Sequence, residues 1–214
     1  MDARFLVAML LAGCSSSGGA GEAPPAPAQP PHETTTAPPS FTWPVPDGWR
    51  SETIPFPLEF APSIPHRGVE EIRFAPGFFD PAAPGYWTYA FAWVVTGARA
   101  PDAATLGEQL TTYFRGLAAA VASGKKDLPP IDVDHIRAQI GADLRGSVAT
   151  FDAFGDGRAV DLEVKVTVQP CGSGQAVLFT AAPRGRPPIS PSPAEVVRSF
   201  RCTGRQDVKS SRGG

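Results

Sequence analysis

One cluster of acidic and imidazole side chains stands out in the first half of the chain. The stretch PHRGVEEIRF brings His66, Glu70 and Glu71 close together. Imidazole titrates near neutral pH and a carboxylate can orient it, so such a pair could serve acid–base catalysis or a zinc site. No HExxH pattern accompanies it, and alternating charge is also typical of a solvated edge strand. We keep His66 with Glu70 or Glu71 as the candidate site of a hydrolase or metal-assisted enzyme, beside that simpler interpretation.

A second stretch resembles a calcium-binding loop in part. In DAFGDGRAVDLE, the residues Asp152, Asp156 and Glu163 stand at the first, fifth and twelfth positions of such a loop. The third position is Phe154, which offers no ligand oxygen, and the flanks read as strands where the motif needs helices. A plain β-hairpin explains the stretch better, and calcium stays the weaker alternative.

A row of aromatic residues is the third feature that could bind a ligand. Period-two alternation places four of them on one face of a strand: Trp87, Tyr89, Phe91 and Trp93. Aromatic residues on one sheet face are usually core, here covered by the apolar segment IPFPLEFAPSIP. If that cover were incomplete, the row would form the floor of a groove for an apolar or glycan ligand.

Charge and motif content exclude several classes of function. The chain has 19 Lys and Arg against 21 Asp and Glu, giving a formal net charge of −2. Because phosphate binding needs basic residues clustered on one face, and these are scattered, we expect no nucleic-acid partner. The patterns GxSxG, GxxxxGK[ST] and GxGxxG are absent, so nothing indicates a nucleophile elbow or a phosphate loop. We expect no cofactor.

The beginning of the chain predicts export. The apolar run FLVAMLLAG, residues 5–13, is too short to cross a bilayer and is followed at once by Cys14 and then by SSSGG. The residues Leu11-Ala12-Gly13-Cys14 resemble the lipobox of bacterial lipoproteins. The resemblance implies cleavage before Cys14, a diacylglycerol thioether on its sulfur and palmitate or a similar acyl chain on the new amino terminus. Ser15 after the cysteine implies the outer membrane, facing the periplasm, if the organism is Gram-negative.

The predicted location also indicates how the other two cysteines are paired. An exported domain lies in an oxidising compartment, so Cys171 and Cys202 are most simply paired in a disulfide. The bond would close a loop of about thirty residues and contribute roughly 3 to 4 kcal/mol in the chain-entropy model. Neither cysteine has a CxxC partner, which leaves a metal or redox pair as the weaker alternative.

Composition divides the chain into four parts. Residues 1–13 are expected to be a signal peptide, and residues 14–46 the lipidated cysteine and a Pro-rich tether. The tether has too few aliphatic side chains to bury, so burial would not offset the conformational entropy lost on ordering it. The globular domain should span residues 47–202, followed by a polar tail over residues 203–214.

The periodicities within the globular part alternate between strand and helix. Strands are predicted over residues 69–75 and 86–96, and a helix follows over residues 102–124. We expect Asp102 or Thr105 to cap that helix, Gly124 to end it in the left-handed conformation, and its apolar face to pack on the small-residue face of the second strand.

The second half of the domain reads mainly as antiparallel strands. Residues 136–144 fit a strand somewhat better than a helix, and residues 147–154 and 160–168 form a hairpin through Asp156-Gly157. A further strand over residues 176–182 and a closing helix over residues 193–200 complete the set.

These elements predict an α+β domain: one antiparallel sheet with a long and a short helix packed on one face. The element order and the ending VVRSFRC are weakly similar to domains of the PsbP and Mog1 type, and no site residue is carried over. The sequence thus predicts a lipid-anchored envelope protein with a non-enzymatic domain that binds an envelope protein or glycan. An envelope hydrolase using His66 with Glu70 or Glu71 is the alternative.

Overall fold

The computed structural model of the protein describes residues 39–97, 99 and 101–203. The predicted signal peptide, Cys14, most of the predicted tether and the tail from residue 204 lie outside the described residues.

The described residues form nine strands and two α-helices. The strands are β1 Phe41–Thr42, β2 Arg50–Pro55, β3 Gly68–Phe74, β4 Tyr89–Thr96, β5 Arg137–Ile140, β6 Arg145–Phe151, β7 Ala159–Cys171, β8 Gly174–Pro183 and β9 Arg201–Cys202. The helices are α1 Ala103–Ser123 and α2 Pro193–Arg198, and a single 3₁₀ turn covers Val133–His135.

Seven of the strands form one antiparallel sheet in the order β2-β3-β4-β8-β7-β6-β5, while β1 and β9 pair separately. The predicted α+β class is confirmed. The strand β4 lies between β3 and β8 and is buried on both faces, as its lack of polar residues predicted.

The two faces of β4 carry different cores. Its large side chains pack with α1 and with apolar residues of the 56–64 segment, namely Phe56, Leu58, Ala61 and Ile64. Its small side chains, Ala90, Ala92 and Val94, pack with Val196 of α2 and with Phe200. The two helices therefore lie on opposite faces of the sheet, and the expectation that both pack on one face is wrong.

There is a physical reason why α1 packs on the large-residue face of β4 and not on the small-residue face. The long helix α1 presents aromatic side chains of its own, and the Tyr113 ring stacks on Phe91 with 5.8 Å between ring centroids. Large apolar surface on both sides buries more area than α1 could bury against alanines. The small-residue face is left to the six-residue helix α2.

The termini of α1 agree with the sequence in part. Asp102 caps its start, because the Thr105 backbone N–H donates to Asp102 Oδ1 at 2.8 Å. Gly124 follows its last residue but has φ −85°, a right-handed value, so the left-handed ending was predicted wrongly.

The hairpin of β6 and β7 follows the sequence closely. Along β7 exposed and buried residues alternate, with Val160, Leu162, Val164 and Val166 facing the core. Gly157 in the connecting turn has φ +80°, which explains why a glycine follows Asp156 there.

Two details differ from the strand predictions near the start of the domain. Trp87 has φ +49° and belongs to a turn, so β4 begins only at Tyr89.

Phe41 pairs with Cys202, and Trp43 is buried at 6% exposure, so residues 41–43 belong to the folded domain and not to a tether.

Candidate functional site

The predicted disulfide is present in the fold. Cys171, the last residue of β7, is bonded to Cys202 of β9, with 5.3 Å between their Cα atoms. Since β9 pairs with β1, the bond ties this small two-stranded sheet to an end of the large one. Cys14, the predicted lipidation site, lies outside the described residues.

His66 lies at the surface of the aromatic core. Its ring is 5.5 Å from the rings of both Phe56 and Trp93, and its Nε2 hydrogen-bonds to Gln109 Oε1 of α1 at 3.1 Å. Burial lowers the His66 pKa below its usual 6.5, and the bond to Gln109 opposes that shift. His66 is therefore a half-buried, neutral imidazole at pH 7 that packs on aromatic rings.

Glu70 is fully buried on the same face of the sheet. Its Oε1 accepts a hydrogen bond from Trp93 Nε1 at 3.2 Å, while its Oε2 has no hydrogen-bond partner among the described residues. Burial raises the Glu70 pKa to about 8, although the hydrogen bond from Trp93 lowers it and the charge of Glu52 raises it further. Glu70 is thus a protonated acid at neutral pH.

Glu71 points to the opposite face of β3 and has a different partner. Its Oε2 accepts from Arg73 Nη1 at 2.9 Å, in an ion pair that is almost completely buried. Arg73 Nη2 also donates to the Trp43 carbonyl at 2.7 Å, and its guanidinium lies 4.6 Å from the Trp43 ring. This pair fastens the chain around Trp43 to the sheet, so Glu71 cannot join His66 in one site.

The three candidate calcium ligands are also held apart. Asp152 is buried and accepts from the Tyr86 hydroxyl at 2.7 Å and from the Gly155 N–H at 2.9 Å. Asp156 pairs with Arg158, whereas Glu163 faces solvent on β7 and lies 3.2 Å from Arg184. No group of three or more His, Cys, Asp and Glu side chains among the described residues could hold a metal ion. The hairpin interpretation is the one that these contacts support.

The aromatic row is part of the core. Trp87, Tyr89, Phe91 and Trp93 are each at most 4% exposed. The predicted cover is in place, since Phe56 packs edge-on against Trp93 at 6.1 Å and Phe60 against Tyr113 at 5.1 Å. The aromatic row is therefore covered and does not line an open groove.

An open trough of about 490 Å³ lies between α1 and the edge strand β5. Its lining is mostly small or weakly polar: Ala103, Ala104, Gly107, Thr111, Ala138 and Ile140. Glu108 is the charged side chain in this lining. This trough could not be predicted, because nothing in the sequence shows that α1 runs beside the short strand β5.

A second depression of about 460 Å³ lies at the start of β2. Phe79 in its wall is 46% exposed, and the guanidinium of Arg50 lies 5.1 Å from the centre of the Phe79 ring. Phe79 also packs against Phe78 and Phe154, so its ring is held in place on one side.

The fold is an α+β domain with a trough between α1 and the edge strand β5. No model of a known protein family matches the chain, and no curated protein or solved structure matches it either. None of the helices in the described part of the chain is long and apolar enough to span a bilayer.

Proposed function

We propose that this chain is a lipid-anchored protein of the bacterial cell envelope whose α+β domain binds a partner protein or envelope component. The anchor is the acylated Cys14, and the domain faces the periplasm from the outer membrane where the organism has two membranes. The domain performs its role by binding, without catalysing a reaction. The similarity to PsbP and Mog1 type domains stays a prediction.

The observation that carries the location is the bond between Cys171 and Cys202. Disulfides persist in oxidising compartments and are rare in the cytosol. The disulfide in the folded domain and the resemblance of the residues before Cys14 to a lipobox are independent features that favour the same compartment. The Pro-rich composition before residue 39 agrees with a spacer between anchor and domain.

Two contacts favour binding over hydrolysis at the predicted catalytic cluster. Glu70 is 0% exposed and accepts a hydrogen bond from Trp93 inside the core, so a substrate cannot reach its carboxyl. Glu71 lies on the other face in its ion pair with Arg73. His66 is then without the carboxylate partner that the hydrolase hypothesis requires. The trough between α1 and β5, in contrast, is open to solvent.

The anchoring is tested by fractionating cells that express the full chain or Cys14→Ser. We expect the original chain in the detergent-soluble membrane fraction. We expect the Cys14→Ser chain to stay an uncleaved precursor that is not acylated, whether or not it leaves that fraction. As a matched control, the double variant Cys171→Ser with Cys202→Ser should keep the membrane location. Equal membrane partitioning and processing of the Cys14→Ser chain and the original would contradict the proposal.

A further inference from the structure

The two edge strands of the sheet differ in what lies on their outer side. At β5 the outer side is taken by α1, since Thr111 Oγ1 accepts from the Ala138 N–H at 2.9 Å. At β2, in the part of the chain that the structure describes, β3 is the only helix or strand in extensive contact. Ser51 and Thr53 of β2 are exposed. The outer side of β2 therefore faces solvent.

The main-chain groups of Ser51 and Thr53 point to this outer side. Phe56 N–H donates to the Gly68 carbonyl at 3.0 Å, and this bond fixes the parity of the ladder between β2 and β3. In an antiparallel pair, residues that bond to the partner strand alternate with residues that do not. The even-numbered residues of β2 therefore bond to β3. The N–H and C=O groups of Ser51 and Thr53 have no hydrogen-bond partner among the described residues.

Two charged side chains of opposite sign lie on one face of β2. Arg50 is exposed, and its guanidinium lies 5.1 Å from the centre of the Phe79 ring. Glu52, two residues later, is half-buried, and burial raises its pKa above 4.5. Within the described residues, neither Arg50 nor Glu52 forms an ion pair. Because side chains alternate along a strand, both point to the same face of the sheet.

We propose that two copies of this chain pair through their β2 strands, antiparallel about a two-fold axis at Ser51. Ser51 of each copy exchanges two main-chain hydrogen bonds with Ser51 of the other copy. Arg50 of each copy then lies opposite Glu52 of the other, so one contact surface forms two ion pairs, as a two-fold interface requires. The two seven-stranded sheets become one continuous sheet. This inference goes beyond the binding role proposed above and does not rest on it.

The residues of β2 favour this register over its neighbours. An axis at Glu52 would place the two Glu52 side chains directly opposite each other, and like charges in that position are destabilising. An axis at Thr53 would pair Ser51 with Pro55, which has no N–H to donate. The axis at Ser51 forms both pairs of opposite charge, and such pairs determine register more than they add affinity.

The test places a cysteine at the proposed axis of the full chain, purified with its disulfide intact. Opposite residues of a hydrogen-bonded pair have Cα atoms about 5.5 Å apart, a separation that a disulfide can span. Thr53→Cys is the matched control, since Thr53 is also exposed and outward-facing, but its two copies would lie more than about 13 Å apart. With copper phenanthroline as oxidant, we expect Ser51→Cys to form linked dimers at least about tenfold faster than Thr53→Cys.

Reversing the charges tests the register in the Ser51→Cys chain. Adding Arg50→Glu or Glu52→Arg places like charges opposite each other, and we expect each to slow cross-linking by about tenfold or more. A mixture of these two variants, one of them lengthened by a tag, restores opposite charges at both positions. We therefore expect mixed dimers, recognised by their size, to form about as fast as dimers of the Ser51→Cys chain.

The unmodified chain provides a measurement that does not depend on how the variants fold. We expect the exchange of the Ser51 amide hydrogen with solvent to slow as the concentration of the chain is raised. Equal cross-linking of Ser51→Cys and Thr53→Cys, mixed dimers that form no faster than those of either charge variant alone, or Ser51 exchange that is independent of concentration would each overturn the proposal. The membrane fractionation of Cys14→Ser does not depend on these results, so the anchor is tested separately.

Discussion

Glu70 and Trp93 face each other across β3 and β4, and the indole Nε1–H of Trp93 donates to the Glu70 carboxyl at 3.2 Å inside the core. His66 lies on the same indole, 5.5 Å away between ring centroids. One tryptophan therefore separates the two residues that the sequence suggested as a catalytic pair. In this arrangement both groups are uncharged at pH 7, which suits a packed core better than proton transfer to a substrate.

The buried acid makes the stability of the domain depend on pH. Glu70 has a pKa of about 8 when folded and 4.5 ordinarily, so between these values the folded state binds more protons than the unfolded state. The stabilisation is complete below pH 4.5 and is lost as the pH rises toward 8. The loss for one such group is at most about 1.4 kcal/mol for each pH unit.

Glu70→Gln should remove this dependence. We expect urea unfolding to show that the stability of Glu70→Gln, relative to the original chain, increases as the pH rises from 5 to 8, because glutamine cannot ionise. Glu59→Gln, which removes an exposed carboxylate from the 56–64 segment, serves as the control and should leave the slope unchanged. If the free energies of unfolding of Glu70→Gln and the original changed with pH in parallel, Glu70 would be ionised in the folded protein.

Gly116 allows α1 to approach the 56–64 segment. A Cβ atom at Gly116 would lie 1.8 Å from the Phe60 carbonyl oxygen, so alanine there forces the segment or the helix to move. We expect Gly116→Ala to destabilise the domain by about 1 to 3 kcal/mol in urea unfolding, as overpacking does.

Gly107→Ala is the matched control in the same helix. Its Cβ atom would meet nothing closer than 3.4 Å, so the gain in helix propensity, up to about 1 kcal/mol, should remain. If both variants were stabilised equally, the contact between α1 and Phe60 would not exist as described.

The disulfide should stabilise the domain through the loop that it closes. Cys171 and Cys202 are 31 residues apart, and a loop of this size is worth about 3 to 4 kcal/mol in the chain-entropy model. We expect the Cys171→Ser, Cys202→Ser double variant to lose about that much in urea unfolding, whereas Cys14→Ser loses none. A reductant that leaves the unfolding midpoint of the original chain unchanged would argue against the bond.

Local patterns predicted most of the elements, because their signals lie within the elements themselves. The alternation along β7 and the apolar spacing of α1 each require only one segment. The strand predicted over residues 136–144 is confirmed for Arg137–Ile140 alone, because residues 141–144 turn the chain into β6. The α+β class follows from the order of these segments.

The relations between segments could not be read in this way. Which face of β4 receives α1 depends on the aromatic side chains of both partners, such as Phe91 and Tyr113, and not on either alone. The alternating charges of β3 suggested an edge strand, but β2 pairs outside it and α1 and the 56–64 segment bury Glu70. The two-residue strands β1 and β9 have no periodicity to detect.

The trough escaped prediction for the same reason. Its lining comes from two separate segments, α1 and β5, and neither segment carries a motif. Ala103, Ala104 and Gly107 look like ordinary helix residues in the sequence. Only the position of the helix beside β5 makes them part of the trough lining.

The intact mass of the full chain, purified from the membranes of a bacterium that processes lipoproteins, is the sharpest test of the lipid anchor at Cys14. We expect a polypeptide that starts at Cys14 and carries the added mass of a diacylglycerol group, with or without an amide-linked acyl chain. A chain that still starts at Met1, or one that is cleaved elsewhere and carries no lipid, would contradict it.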